Sequence, residues 1–130
     1  MLSAAALGCA AALTTPVSAQ MMGGHEEAKP LTAAQFAAAS VGQMVQIEVR
    51  VRTIQRSNVQ TQLLQQTGGR TAKNTGKSVQ MFMPHSTPVV MGSTSDVVPG
   101  AVLYVYGIVT KPGYVDAKRV VVATRYTTVQ

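Results

Sequence analysis

Arg70, Lys73 and Lys77 fall within one glycine-rich stretch, and Arg50 and Arg52 alternate with valines along an extended pattern. Cations arranged in that way bind polyanions, and a groove that also offers aromatic rings holds single strands by base stacking. Phe82, Tyr104 and Tyr106 are the rings placed to do so, with the two tyrosines on one strand face. The plainer reading is that the loop charges are solvated and the tyrosines pack under a helix. With 4 Tyr, 2 Phe and no Trp, the chain is poor in stacking material. A second cluster, Met81, Met83 and His85 at i, i+2 and i+4, has Met91 nearby and Met21, Met22 and His25 upstream. Thioethers with imidazole suit Cu(I). Here the plainer reading is core filling, because Met81 and Met83 share a strand face with Val79. His85 and Ser86 are adjacent, but neighbours on an extended chain point apart, and no nucleophile, base and orienting acid form a set. The acids are Glu26, Glu27, Glu48, Asp96 and Asp116. The chain is therefore expected not to be an enzyme and to carry no cofactor, copper entering only in the metal alternative.

These residues sit in a chain of 130, with 46% hydrophobic and 12% charged residues, enough apolar material for one domain core. Lys and Arg number 11 against 5 acids, a net charge of +6, and all of these charges lie beyond Gln20. That balance favours a polyanion or an acidic envelope protein as partner, with nucleic acid among the options. The run Met1–Leu13 is nearly all Ala and Leu and leads to Val17-Ser18-Ala19, the pattern of a secretory signal cut after Ala19. It lacks a basic n-region and is too short to span a membrane. Ala6-Leu7-Gly8-Cys9 is the alternative, a lipoprotein box with a lipid anchor at Cys9. Otherwise the lone cysteine leaves with the signal, and disulfides are excluded. The expected organisation is a signal peptide over 1–19, a flexible leader over 20–30 and one domain over 31–126, in the periplasm or secreted.

The elements that would position the candidate residues are short. Thr32-Ala33-Ala34-Gln35 fits a capping box with Leu31 and Phe36 at the staple positions, predicting a helix from Ala33 to Ala39 stopped by Gly42. Gln43–Thr53 alternates, with Val45, Ile47, Val49 and Val51 inward and Gln46, Glu48, Arg50 and Arg52 outward. A weaker strand is expected over Asn58–Leu64, then a mobile hairpin loop over Thr67–Lys77, then a strand over Ser78–Met83 ended by Pro84. Pro84–Gly100 reads as irregular, with only Pro88–Met91 extended. Ala101–Thr110 and Tyr114–Ala123 form a hairpin about Lys111-Pro112-Gly113. Gly107 within a strand marks a bulge or sharp coil that helps a small barrel close.

Five antiparallel strands ordered as a meander, an irregular crossing and a hairpin, with one short N-terminal helix, match an all-β, partly open five-stranded OB-like barrel. The phrases Val41-Gly42-Gln43-Met44-Val45-Gln46-Ile47 and Val98-Pro99-Gly100-Ala101-Val102-Leu103-Tyr104-Val105-Tyr106-Gly107-Ile108-Val109 resemble paired glycine-and-alternation phrases of OB-fold domains, including small exported ones. The resemblance covers roughly Val41 to Thr124 and extends in architecture to periplasmic copper and haem chaperones and to tRNA-anticodon-type OB domains. It implies a fold rather than a function. The usual helix between the third and fourth strands is missing, so the segment Leu31–Phe36 is expected to plug the barrel. Met81-Phe82-Met83 resembles the Met-x-Met pair of the copper chaperones, which add a Trp that this chain lacks. The haem chaperones attach haem through a C-terminal H-x-x-x-Y phrase, and Arg125-Tyr126-Thr127 has no such His. The expectation is a non-enzymatic exported binding module whose basic loop and outer strand face engage a polyanion, such as single-stranded nucleic acid, or an envelope protein. The alternatives are a Cu(I) chaperone using Met81, Met83 and His85, and a structural or assembly subunit.

Overall fold

The computed structural model describes residues 29–130. The expected signal peptide, Cys9 and the leader up to residue 28 lie outside the described residues. The first element is a short helix, α1 (Ala33–Ala37), opened by Thr32 as the capping box requires. The Thr32 hydroxyl accepts from the Gln35 amide at 3.2 Å, and the Gln35 side chain accepts from the Thr32 amide at 2.9 Å. Thr32→Ala should therefore cost about 1 kcal/mol in urea unfolding. Each fully buried Val or Leu contributes roughly 1.5–3 kcal/mol, so the sheet rather than this cap sets the stability.

The strands are β1 (Met44–Gln55), β2 (Asn58–Gly68), β3 (Thr71–Phe82), β4 (Val89–Val90), β5 (Val102–Lys111), β6 (Tyr114–Val122) and β7 (Thr128–Val129), with a 3-10 turn at Thr94–Asp96. Antiparallel pairs join β1 to β2, β2 to β3, β1 to β5 and β5 to β6. A parallel seam then closes the ring, pairing Gln80 with Tyr114, Met81 with Val115 and Phe82 with Asp116. The result is a five-stranded OB-like barrel in the order β1-β2-β3-β6-β5, with β4 and β7 as two-residue additions on its margins. Period-two alternation fills it: Val45, Ile47, Val49, Val51, Leu63, Val79, Met81, Leu103, Val105 and Val115 are all buried. Phe36 joins this core from α1, Leu31 packs against it, and the Leu31 amide bonds the Gln46 carbonyl at 2.9 Å. The plug expected from Leu31–Phe36 is thus in place.

Three sequence expectations change. The glycine-rich stretch is not a mobile loop, since β2 runs to Gly68 and β3 begins at Thr71, leaving Gly69 and Arg70 as the turn. Its remaining irregularity is a bulge in which Thr75, Gly76 and Lys77 stand opposite Leu63. Gly76 has φ +81° and takes a bond to Asn74 Oδ1, while the Thr75 hydroxyl donates to the Leu63 carbonyl. Local side-chain bonds of this kind stand in for the missing ladder bonds. Second, β1 is not solvated along the whole of its outer face: of the four residues expected outward, Gln46 and Glu48 are buried, and Arg50 and Arg52 are exposed. Third, the cover is the chain end. It turns at Ala123, buries Thr127 and pairs β7 with the start of β3 through Thr71 and Ala72. A second small core of Leu64, Ala72, Val102 and Ala123 forms beneath it, outside the barrel.

Candidate nucleic-acid interface

The register assembles one outer face across four strands. One row runs Arg50 (β1), Gln62 (β2) and Ser78 (β3); the next runs Thr53, Gln60, Gln80 and Tyr114 (β6); the last runs Gln55, Asn58, Phe82 and Asp116. Arg52 occupies the β1 bulge between Val51 and Thr53, which bends the strand and turns an extra side chain outward. Phe82 is 47% exposed and Tyr114 is 40% exposed, both unusual for rings in a small barrel. Lys111 Nζ lies 4.2 Å from the Tyr114 ring centroid, within cation–π range. Arg56 stands in the turn leading into β2 with φ +57°. The carboxylate on this face, Asp116, is bonded at 3.0 Å to Lys118. From Ser78 to Phe82 the face spans about 13 Å along β3.

Not all expected residues meet here. Arg50, Arg52 and Phe82 do, and Lys77 adjoins them on the β3 bulge beside Ser78. Arg70 is at the distant β2–β3 turn, where its carbonyl accepts from Thr128. Lys73 pairs with Gln65, and strand alternation points it to the opposite side of the hairpin from Asn74. Tyr104 and Tyr106 belong to the other flank of β1. Tyr104 is half-buried beneath the chain end with its hydroxyl 3.4 Å from Thr127, and Tyr106 is buried with the Arg119 guanidinium 5.3 Å from its ring. Sequence reasoning missed Tyr114, Lys111, Gln60, Gln62 and Gln80. Their signal was present, as an alternation of amides along β2 and β3, but solvated strand faces carry the same pattern.

Of the metal candidates, Met81 and Met83 are both buried in the barrel core, and Met83 together with exposed His85 lines a pocket of about 70 Å³ that also receives Arg56, a cation unfavourable to a metal ion. A larger open groove of about 480 Å³ lies between Met91, Val98 and Tyr126. It holds both Arg125 and Asp96, so it concentrates charge of neither sign.

The barrel is that of an OB fold. The telomere capping protein Ten1 from Saccharomyces pombe superposes on it with a TM-score of 0.51, at 16% identity, over 75% of this chain and 82% of that one. No protein-family model matches the chain, and no curated protein matches it in sequence. The likeness is therefore one of architecture.

Two residues from Arg50 on the same side of β1, under the chain end, Glu48 pairs across the ladder with Leu64 and Tyr104 and is fully buried. Its Oε2 accepts from the Thr127 hydroxyl at 3.0 Å, while its Oε1 has no donor in hydrogen-bonding geometry. Burial pushes its carboxyl above the ordinary carboxylate value, opposed only in part by Thr127 and Gln66. The carboxyl is thereby drawn toward its neutral form.

Proposed function

We propose that the protein is a non-enzymatic binding module that works after export, in the periplasm or beyond the cell, and holds single-stranded nucleic acid across β1, β2, β3 and the start of β6. One observation carries this reading. Arg50 and Arg52, the side-chain amides of Gln62, Gln60 and Gln80, and the exposed rings of Phe82 and Tyr114 share a single outer surface, with Lys77 in the bulge at its edge. Cations neutralise phosphates, rings take stacked bases, and side-chain amides bond base edges. The fold is shared with a telomere capping protein, and that likeness supports the architecture of the reading.

The test is the salt dependence of binding to a fluorescein-labelled single-stranded oligonucleotide of about 16 nucleotides, the upper footprint of one OB domain. Each phosphate contact contributes about 0.7 to the log–log slope, so neutralising Arg50, Arg52 and Lys77 to Gln should flatten it by about 2. Neutralising Arg70 and Lys73, which lie off the face, should change it far less. Phe82→Ala should weaken binding by about 1–3 kcal/mol through lost stacking. A slope insensitive to the first three substitutions would remove the proposal.

A further inference from the structure

We infer that this face selects bases that present carbonyl oxygens and carry no amino group, thymine and uracil ahead of cytosine and adenine. The inference rests on the nucleic-acid reading above and deepens it. It follows from the direction in which the side-chain amides are held.

The chain of bonds begins at a group whose polarity is certain. The Gly76 backbone amide donates at 2.8 Å to Asn74 Oδ1. Since a backbone N–H can only donate, the Asn74 oxygen is placed there and its Nδ2 faces the other way. That Nδ2 donates to Gln62 Oε1. Gln62 Oε1 is therefore turned toward Asn74 with one lone pair engaged, and the NH₂ group, a donor, is the end turned toward a ligand. On the next row of β2 the Thr53 hydroxyl donates to Gln60 Oε1 at 3.0 Å, which leaves Gln60 Nε2 in the same position. Gln80 Oε1 is buried and out of a ligand's reach. Arg50 pairs directly with Gln62 in the ladder, Arg52 lies in the adjoining bulge, and guanidinium has donors only. Of the central rows, the hydroxyls of Ser78, Thr53 and Tyr114 can accept as well as donate, and that of Thr53 already spends its proton on Gln60.

A surface that mostly donates is matched by a ligand that mostly accepts. Phosphate oxygens satisfy it whatever the sequence. Among bases, adenine, cytosine and guanine each carry an exocyclic amine that needs an acceptor, whereas thymine and uracil have a carbonyl oxygen in that outer position and keep their one N–H, at N3, between two carbonyl oxygens that a donor can reach from either side. Bringing an amine against donors leaves it unpaired and desolvated, and sites built for one hydrogen-bond polarity reject the other strongly.

The experiment measures fluorescence anisotropy of labelled oligo(dT) and oligo(dC) of equal length at one salt concentration. Both are pyrimidine strands, so differences in self-stacking are small. Oligo(dT) is expected to bind about tenfold tighter, the scale of one well-made amide contact. Gln62→Glu turns a donor into an acceptor; its added charge weakens both strands alike, while the ratio between them falls toward one. Gln60→Glu carries the same expectation and serves if the first variant does not fold. Equal binding of oligo(dT) and oligo(dC) by the parent protein would overturn the base preference and leave the nucleic-acid reading standing. Binding of neither strand would overturn both.

Discussion

Gly107→Ala is expected to cost about 3 kcal/mol and to lower the melting temperature by roughly 10–20 °C. The residue lies in the middle of β5, opposite a register shift in which Tyr106 pairs with Arg119 but Gly107 pairs with Ala117, leaving Lys118 as the extra residue of β6. The bulged strand is driven inward against Gly107. A β-carbon there would stand 2.5 Å from Val115 Cγ1 and 2.6 Å from the Asp116 carbonyl oxygen. A side chain could rotate away, but the backbone oxygen could not. The damage would also spread, because Val115 and Asp116 pair with Met81 and Phe82 in the parallel seam that closes the barrel. Guanidinium unfolding with an unchanged midpoint would show that the seam tolerates the shift and that closure does not depend on this close approach.

Glu48→Gln is expected to act in the opposite direction, stabilising the protein above the raised folded pKa of Glu48 by about 1 kcal/mol, which is several degrees in melting temperature. The carboxyl is held above its ordinary value of 4.5, first by burial, with the Thr127 and Gln66 side chains opposing. Its ladder neighbours are Leu64 and Tyr104, and no ion pair to it forms among the described residues. The sign follows from proton counting. Between 4.5 and the raised folded value the native state binds more protons than the unfolded chain, so stability falls as pH rises through that window. Above it the full penalty remains, and below 4.5 there is none. The glutamine variant lacks this slope, so its advantage should vanish in acid. Thr127→Val, which removes the hydroxyl donor at 3.0 Å, should steepen the slope instead. Melting curves across this pH range that run parallel for all three proteins would mean that Glu48 is solvated when ionised, contrary to its burial.

These two residues also show where sequence reading succeeds and where it stops. Gly107 is legible as a bulge or coil because a glycine amid Val, Ile and Tyr has no local reason to be there. Glu48 is misread as solvated because alternation tells which residues share a face but carries no information about what comes to cover it. The cover is the segment after Ala123, brought in from far along the chain to pair with Thr71 and Ala72. The stretch Thr71–Lys77 is misread for a related reason. Gly, Asn and Thr favour turns in isolation, and here the pairing partner β2 holds them extended, with Asn74 and Thr75 bonding across the bulge.

The candidate site divides in the same way. Arg50, Arg52, Lys77 and Phe82 are recognisable from charge and ring type alone, whereas Tyr104 and Tyr106, equally conspicuous, are carried to the other flank of β1. Gln60, Gln62 and Gln80 cannot be told from solvated strand residues until the register aligns them with Arg50 and Tyr114. What the amino-acid order determined by itself was local: the alternation that makes β1, β5 and β6, the Thr32–Gln35 cap, the surplus of cations and the all-β class. Those features depend on neighbours a few residues apart, whose geometry the backbone dictates. Which face stays open, which acid is buried and which way each amide points were decided only by the tertiary structure, because each depends on contacts between residues distant in the chain.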